Sequence, residues 1–254
     1  MRFQLLGKRL RKTVRRLAAA ATNDAEGAAA SIGIGLVIVL GTVLLLAGRT
    51  SGVDERGCPP EVPTTISVLV DATDQLPEHR AIGQWLRSRF ASAPAGARIR
   101  IAPLNGVGPA AFRPVFDRCL PGESRTTNSR VAERERERVI ESAWAAVEDV
   151  LRQAGSLSES RILESAIRAA RETPAGEVLV VTDGLENSSL YRSYGSNSGK
   201  ELPEEPLVDE LRPVSLRIVV VVRNGPLMAR QERAIREFWS PAVSSLPRAS
   251  IERL

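Results

Sequence analysis

The stretch Thr65-Ile-Ser-Val-Leu-Val-Asp71-Ala-Thr73-Asp74 decides how the rest of the chain reads. Aliphatic and β-branched residues fill it, with Pro63 before it and Pro77 after it. This is the pattern of a strand buried on both faces, in a parallel sheet covered by helices. It ends on an aspartate. Groups at the carboxyl ends of such strands line the crevice where open α/β sheets bind ligands, so Asp71 stands where an acid can meet one. A second run, Glu177-Val-Leu-Val-Val-Thr182-Asp183-Gly184, repeats the pattern and adds a glycine that can turn sharply. Two strands deliver two acids.

The remaining periodicities supply the other parts of an α/β fold. Residues 77–91 read as a helix with Ile82, Trp85, Leu86 and Phe90 on one face. Residues 98–104 alternate as a strand, and Phe112–Phe116 is an edge-strand candidate. A long helix over 129–153 buries Ile140, Trp144, Val147 and Leu151, while its sign-alternating run Glu133–Arg138 reads as a solvated face. Ser160 precedes a helix over 162–170 and is placed to cap it. Residues 215–223 form another buried strand, 227–239 a helix and 249–254 a short strand. Leu185 to Pro203 is a long loop rich in Asn, Ser and Gly, followed by a short crossover helix at 207–211. Long loops in compact domains are often functional. Tyr191 and Tyr194, the only tyrosines, lie in it, and with Asp74 on the same rim they are the candidate partner-contact residues.

The two acidic strand ends resemble the von Willebrand factor A (vWA) domain. That family's metal-ion-dependent adhesion site uses a D-x-S-x-S motif after the first strand, a threonine before a later helix, and the aspartate of a T-D-G turn. Asp71 matches the first position, Thr73 stands for the first serine, Gln75 takes the place of the second, and Thr182-Asp183-Gly184 matches the last element. The middle position falls by spacing on Arg161, one residue past Ser160. The resemblance covers residues 64–254. It implies a Rossmann-like, mostly parallel sheet in the order 3-2-1-4-5-6, and a metal site of Asp71, Thr73, Ser160 and Asp183 for Mg²⁺ or Ca²⁺. Unscreened, the two aspartates would repel by about 4 kcal/mol at ~4 Å in an effective dielectric near 20. A bound cation, hydrogen bonds, or protonation of one acid would each offset that.

Ahead of this domain, residues 1–27 are basic and amphipathic, with Phe3, Leu6, Leu10, Val14 and Leu17 recurring between arginines. Residues 28–48 are dominated by Ala, Gly, Ile, Val and Leu and carry no charge. At 1.5 Å per residue such a run spans about 30 Å, the thickness of a bilayer's hydrocarbon core, and reads as a single transmembrane helix. Residues 49–63 form a Gly- and Pro-containing linker. The basic flank places the N-terminus in the cytoplasm and the 64–254 domain outside it. Cys58 and Cys119, the only cysteines, both fall on that outer side, where a disulfide persists. Gly27, Ser31 and Gly35 recur every four residues, a face on which two transmembrane helices could pair into a homodimer, although small residues are common in spans. Arginine and alanine richness fits a GC-rich bacterium, whose inner membrane would carry the anchor and whose periplasm or exterior would hold the domain.

Composition excludes several functions. The formal charge of +5 is carried by seven basic residues against Asp24 and Glu26 in the first 27, leaving 28 basic and 28 acidic residues beyond them. The electrostatic footprint of a nucleic-acid binder is therefore missing from the globular part. His79 is the only histidine, which rules out a multi-histidine metal site. Three readings stand: a membrane-anchored module binding an unidentified membrane or extracytoplasmic protein, a metal-dependent phosphoesterase or nuclease, and a structural vWA-like subunit whose metal site has decayed. Asp74 lies three residues after Asp71, not the two of a D-x-D phosphatase motif, which disfavours the second. The topology has a direct check. A periplasmically activated reporter fused after Leu254 should be active, and a C-terminus shielded from protease in intact spheroplasts would overturn the orientation.

Overall fold

The computed structural model describes residues 53–104, 113–121, 129–155, 160–173, 176–188, 192–193 and 209–254. The chain divides into two units, Met1–Gly52 and Val53–Leu254, and every described residue belongs to the second. The apolar run 28–48 and the small-residue face thus lie outside the described residues. Among those described, no helix is long and apolar enough to cross a membrane.

Six strands form one sheet: β1 (Thr65–Asp71), β2 (Arg98–Leu104), β3 (Phe116–Cys119), β4 (Glu177–Thr182), β5 (Ser215–Val220) and β6 (Ala249–Arg253). Their order is β3-β2-β1-β4-β5-β6, as the sequence leads one to expect. All neighbours run parallel except β2 and β3. The edge strand is real but sits at Phe116–Cys119, beyond the predicted Phe112–Phe116. Of the predicted 207–211 helix, the described part is a turn beginning at Asp209.

The period of two along each strand sends alternate residues into two separate cores. Ile66, Val68 and Val70 of β1 pack with Leu179 and Val181 beneath α1 (His79–Ala91) and α2 (Ser129–Arg152). Leu69, Val178 and Val180 pack on the other face beneath α3 (Ile162–Arg171) and α4 (Pro226–Ala234). A π-helical turn (Ile235–Trp239) and α5 (Ser240–Ser244) continue α4. This two-sided burial is why β1 and β4 read as nearly unbroken apolar runs.

On the first face α1 and α2 meet at Gly83, where a Cβ would come within 2.9 Å of the Trp144 ring. The Arg87 guanidinium lies over that ring, 5.1 Å from its centroid. The sign-alternating run is not wholly solvated: Arg136 reaches back to donate to the carbonyls of Phe90, Ala91 and Ala93 at and just past the end of α1.

Cys58 and Cys119 form a disulfide across a separation of 61 residues. It fastens the segment entering the fold to β3, where the Cys119 N–H also donates to the Arg56 carbonyl at 3.1 Å. In the chain-entropy account, closing a loop of that length stabilises by about 4 kcal/mol. Reduction, or Cys119→Ser, should therefore lower the unfolding free energy by a comparable amount, read from denaturant unfolding curves. Two thiols that alkylate in the unreduced protein would contradict the bridge.

Candidate functional site

Asp71 ends β1, and Asp183 follows the last residue of its neighbour β4. Order reverses between these two strands, so their carboxyl ends form the switch-point crevice. Both acids are buried, at 1% and 4% exposure, too little for water to carry their charge.

Asp71 is held by hydroxyls. Its Oδ1 accepts from Thr73 Oγ1 at 2.6 Å and Thr73 N–H at 3.0 Å. Its Oδ2 accepts from Thr182 Oγ1 at 2.6 Å and Ser160 Oγ at 3.4 Å. Thr182 Oγ1 in turn accepts from the Gly184 N–H at 3.0 Å, which fixes the direction of its own proton toward Asp71. Burial first, then the charge of Asp183, push the Asp71 carboxyl up, and the bonds from Thr182 and Thr73 pull it back.

Asp183 is held by a cation from within the chain. Arg223, just past β5, donates to Asp183 Oδ2 from Nε at 3.1 Å and Nη2 at 2.8 Å. The same Nη2 lies 3.1 Å from Asp74 Oδ2, and Nη1 donates to the Gln75 carbonyl. The guanidinium is only 12% exposed, so it ties the loop after β1 to the turn after β4 at low dielectric. Leu185 N–H satisfies Asp183 Oδ1 at 3.0 Å.

The helix after β5 locks this turn from behind. Gln231 Nε2 donates to the carbonyls of Asp183 and Val221, at 2.7 and 2.8 Å, and its Oε1 accepts from the Arg223 N–H at 3.0 Å. Trp239, on the π-helical turn, donates its indole N–H to the Gly184 carbonyl at 2.8 Å. Gly184 has φ +74, a conformation in which a side chain is strained. The glycine of the T-D-G turn is thus required by geometry.

Asp71, Thr73, Ser160 and Asp183 do come together, and their oxygens are the hard donors that Mg²⁺ or Ca²⁺ takes. The arrangement does not fit a resident divalent ion, however. Asp183, the second carboxylate of the set, already carries a guanidinium, and Gln75 contributes its backbone carbonyl to that guanidinium in place of a serine hydroxyl to a metal. Tyr191 and Tyr194 lie outside the described residues. Asp74 is on the rim and exposed.

Arg223 is the residue that reading the sequence missed. Its signal was the same as that of the aspartates, a charged residue just past a buried strand. The Ser160 expectation also needs correcting, since Ser160 faces Asp71 and does not cap α3. That role falls to Glu186, whose Oε2 accepts from the N–H groups of Ile162 and Leu163 at 2.8 and 3.1 Å. The Asn187 N–H, donating to the Ser160 carbonyl at 2.8 Å, draws this segment over the site.

Burial pushes the Glu186 carboxyl up to about 8, against opposing bonds from Ser188, Leu163 and Ile162. The folded state therefore holds a proton that the unfolded chain releases near 4.5. Stability should fall as pH rises from about 4.5 to about 8, by at most ~1.4 kcal/mol per unit. Glu186→Gln keeps an acceptor for the two amides and should flatten that fall, read from urea midpoints at about pH 5 and about pH 8. Parallel pH profiles for the two proteins would contradict the assignment.

No known protein-family model matches the chain, and no curated protein is significantly similar to it, so the function must be argued from the site itself.

Proposed function

We propose that the chain is a single-pass membrane protein whose 64–254 domain is a vWA-like protein-interaction module displayed outside the cytoplasm. In this reading the Asp71/Asp183 rim receives a protein partner, and Arg223 supplies the positive charge that a divalent cation supplies in the family. The observation that carries the proposal is the partly buried guanidinium joining Asp183, Asp74 and the Gln75 carbonyl. It holds the rim in one shape without an exchangeable ion, and a preorganised surface spends less of its binding energy on ordering.

Several further features support the reading. Strand order and the placing of two acids at the switch point agree with the vWA resemblance. The basic flank and the uncharged 28–48 run support the anchor, and the Cys58–Cys119 bridge suits an oxidising compartment. Weak binding of Mg²⁺ or Ca²⁺ becomes an expectation for variants that lack the arginine.

The partner can be sought in place. Met228 is half exposed and follows Arg223 by five residues, so a photoreactive residue there should crosslink to whatever seats on the rim. In membranes of the native host, the full chain should give one specific protein adduct. That adduct should survive EDTA and weaken at least tenfold with Arg223→Ala. An adduct that EDTA abolishes would restore the metal-dependent reading, and the absence of any protein adduct would refute the interaction module.

A further inference from the structure

The residues just past the T-D-G turn form a strap beside the rim. The Ser193 N–H donates to the Glu186 carbonyl at 3.0 Å, and Asn187 pairs with Arg192 in an isolated bridge, so residues 186–188 and 192–193 lie side by side. Two points fasten this strap to the start of α3. Glu186 Oε2 accepts from the N–H groups of Ile162 and Leu163, and the Asn187 N–H donates to the Ser160 carbonyl. Ser160 Oγ in turn lies 3.4 Å from Asp71 Oδ2, the longest of the four hydrogen bonds described at that acid.

The first fastening tolerates charge poorly. Glu186 is wholly buried, and its Oε1 has neither contact with solvent nor a hydrogen-bond partner among the described residues. A carboxylate placed this way needs donors on both oxygens or it keeps its proton. Its surroundings do not replace the missing donor. Glu164, in the first turn of α3, adds like charge and has Arg161 3.4 Å away, while Arg192, opposite Asn187, is exposed. On the rim Asp71 is held by hydroxyls and Asp183 by Arg223. The two α3 amides and Ser188 favour the charged form, but burial outweighs them and holds the carboxyl up at about 8.

We propose that Glu186 is a pH-operated latch: loss of its proton detaches the strap from the start of α3 and withdraws Ser160 from Asp71. The direction follows from linkage. The closed strap keeps the proton up to about 8, whereas the open one releases it near 4.5, so opening gains as pH rises between those values and levels off above the upper one. A bearing on partner binding rests on the function proposed above, whereas the opening itself stands without it and is read with no partner present.

Hydrogen exchange with mass spectrometry, on the full chain in dodecyl maltoside, tests the latch. After correction for the intrinsic pH dependence of exchange, protection of the peptides carrying residues 162–163 and 186–193 should fall at least tenfold between about pH 6 and about pH 8.5. That fall should be unchanged in low urea, because a local opening exposes little surface, whereas β4 should exchange only with the urea-sensitive unfolding of the domain. Glu186→Gln keeps an acceptor for both amides but cannot ionise, and should hold its protection level across the same range. The native pH series and its urea control decide without the variant. Protection in the native protein that stays level with pH, that falls as steeply in Glu186→Gln, or that follows urea as β4 does would each overturn the proposal.

Discussion

A buried parallel sheet carries two carboxylates to neighbouring strand ends, and neither can keep its charge there without a partner. The fold meets this constraint differently for each acid. Asp71 receives hydroxyls from three separate elements, through Thr73, Ser160 and Thr182. Asp183 receives a guanidinium. Removing one partner of a buried ion pair costs about 3–5 kcal/mol, because the other is left charged and dry. The loop after β1, the turn after β4 and the segment after β5 are therefore joined into one unit.

The layers behind the rim follow from the same demand. Gln231 and Trp239 spend their hydrogen bonds on the backbone of the T-D-G turn, not on one another or on solvent. Trp239 reaches Gly184 from a π-helical turn, and such turns are frequent at functional sites. Glu186 stabilises the start of α3 while the residue after it pairs with Ser160. A shift in any one of these contacts would be felt at Asp71 or Asp183.

How much of this could be read in the sequence depended on the range of the interaction. The strands showed themselves because two-sided burial leaves continuous apolar runs, and the helices because their stripes recur at 3.6 residues. Strand order followed from the resemblance carried by Asp71 and Thr182-Asp183-Gly184. Edge strand β3 was misplaced, since a four-residue strand buried only at its two ends carries little periodicity. Arg223 could not be paired with Asp183 or Asp74 by inspection: 40 residues separate it from the first and 149 from the second, and only the fold closes those distances. Ser160 misled for a related reason. A serine before a helix is locally a cap, and the acid that displaced it comes from 24 residues beyond Ile162.

The central claim is that an arginine does at this rim what a metal ion does in the family the sequence resembles. Thermal unfolding of the full chain with and without Mg²⁺, Ca²⁺ or EDTA, in the native sequence and in Arg223→Ala, addresses it most directly. The native protein should melt at the same temperature in all conditions. Arg223→Ala should melt lower and recover part of the loss when a divalent cation is added, because the cation can then take the place of the guanidinium at the Asp183 carboxylate, beside Asp71. A native protein that melts higher with Mg²⁺ or Ca²⁺ and lower with EDTA would contradict the account.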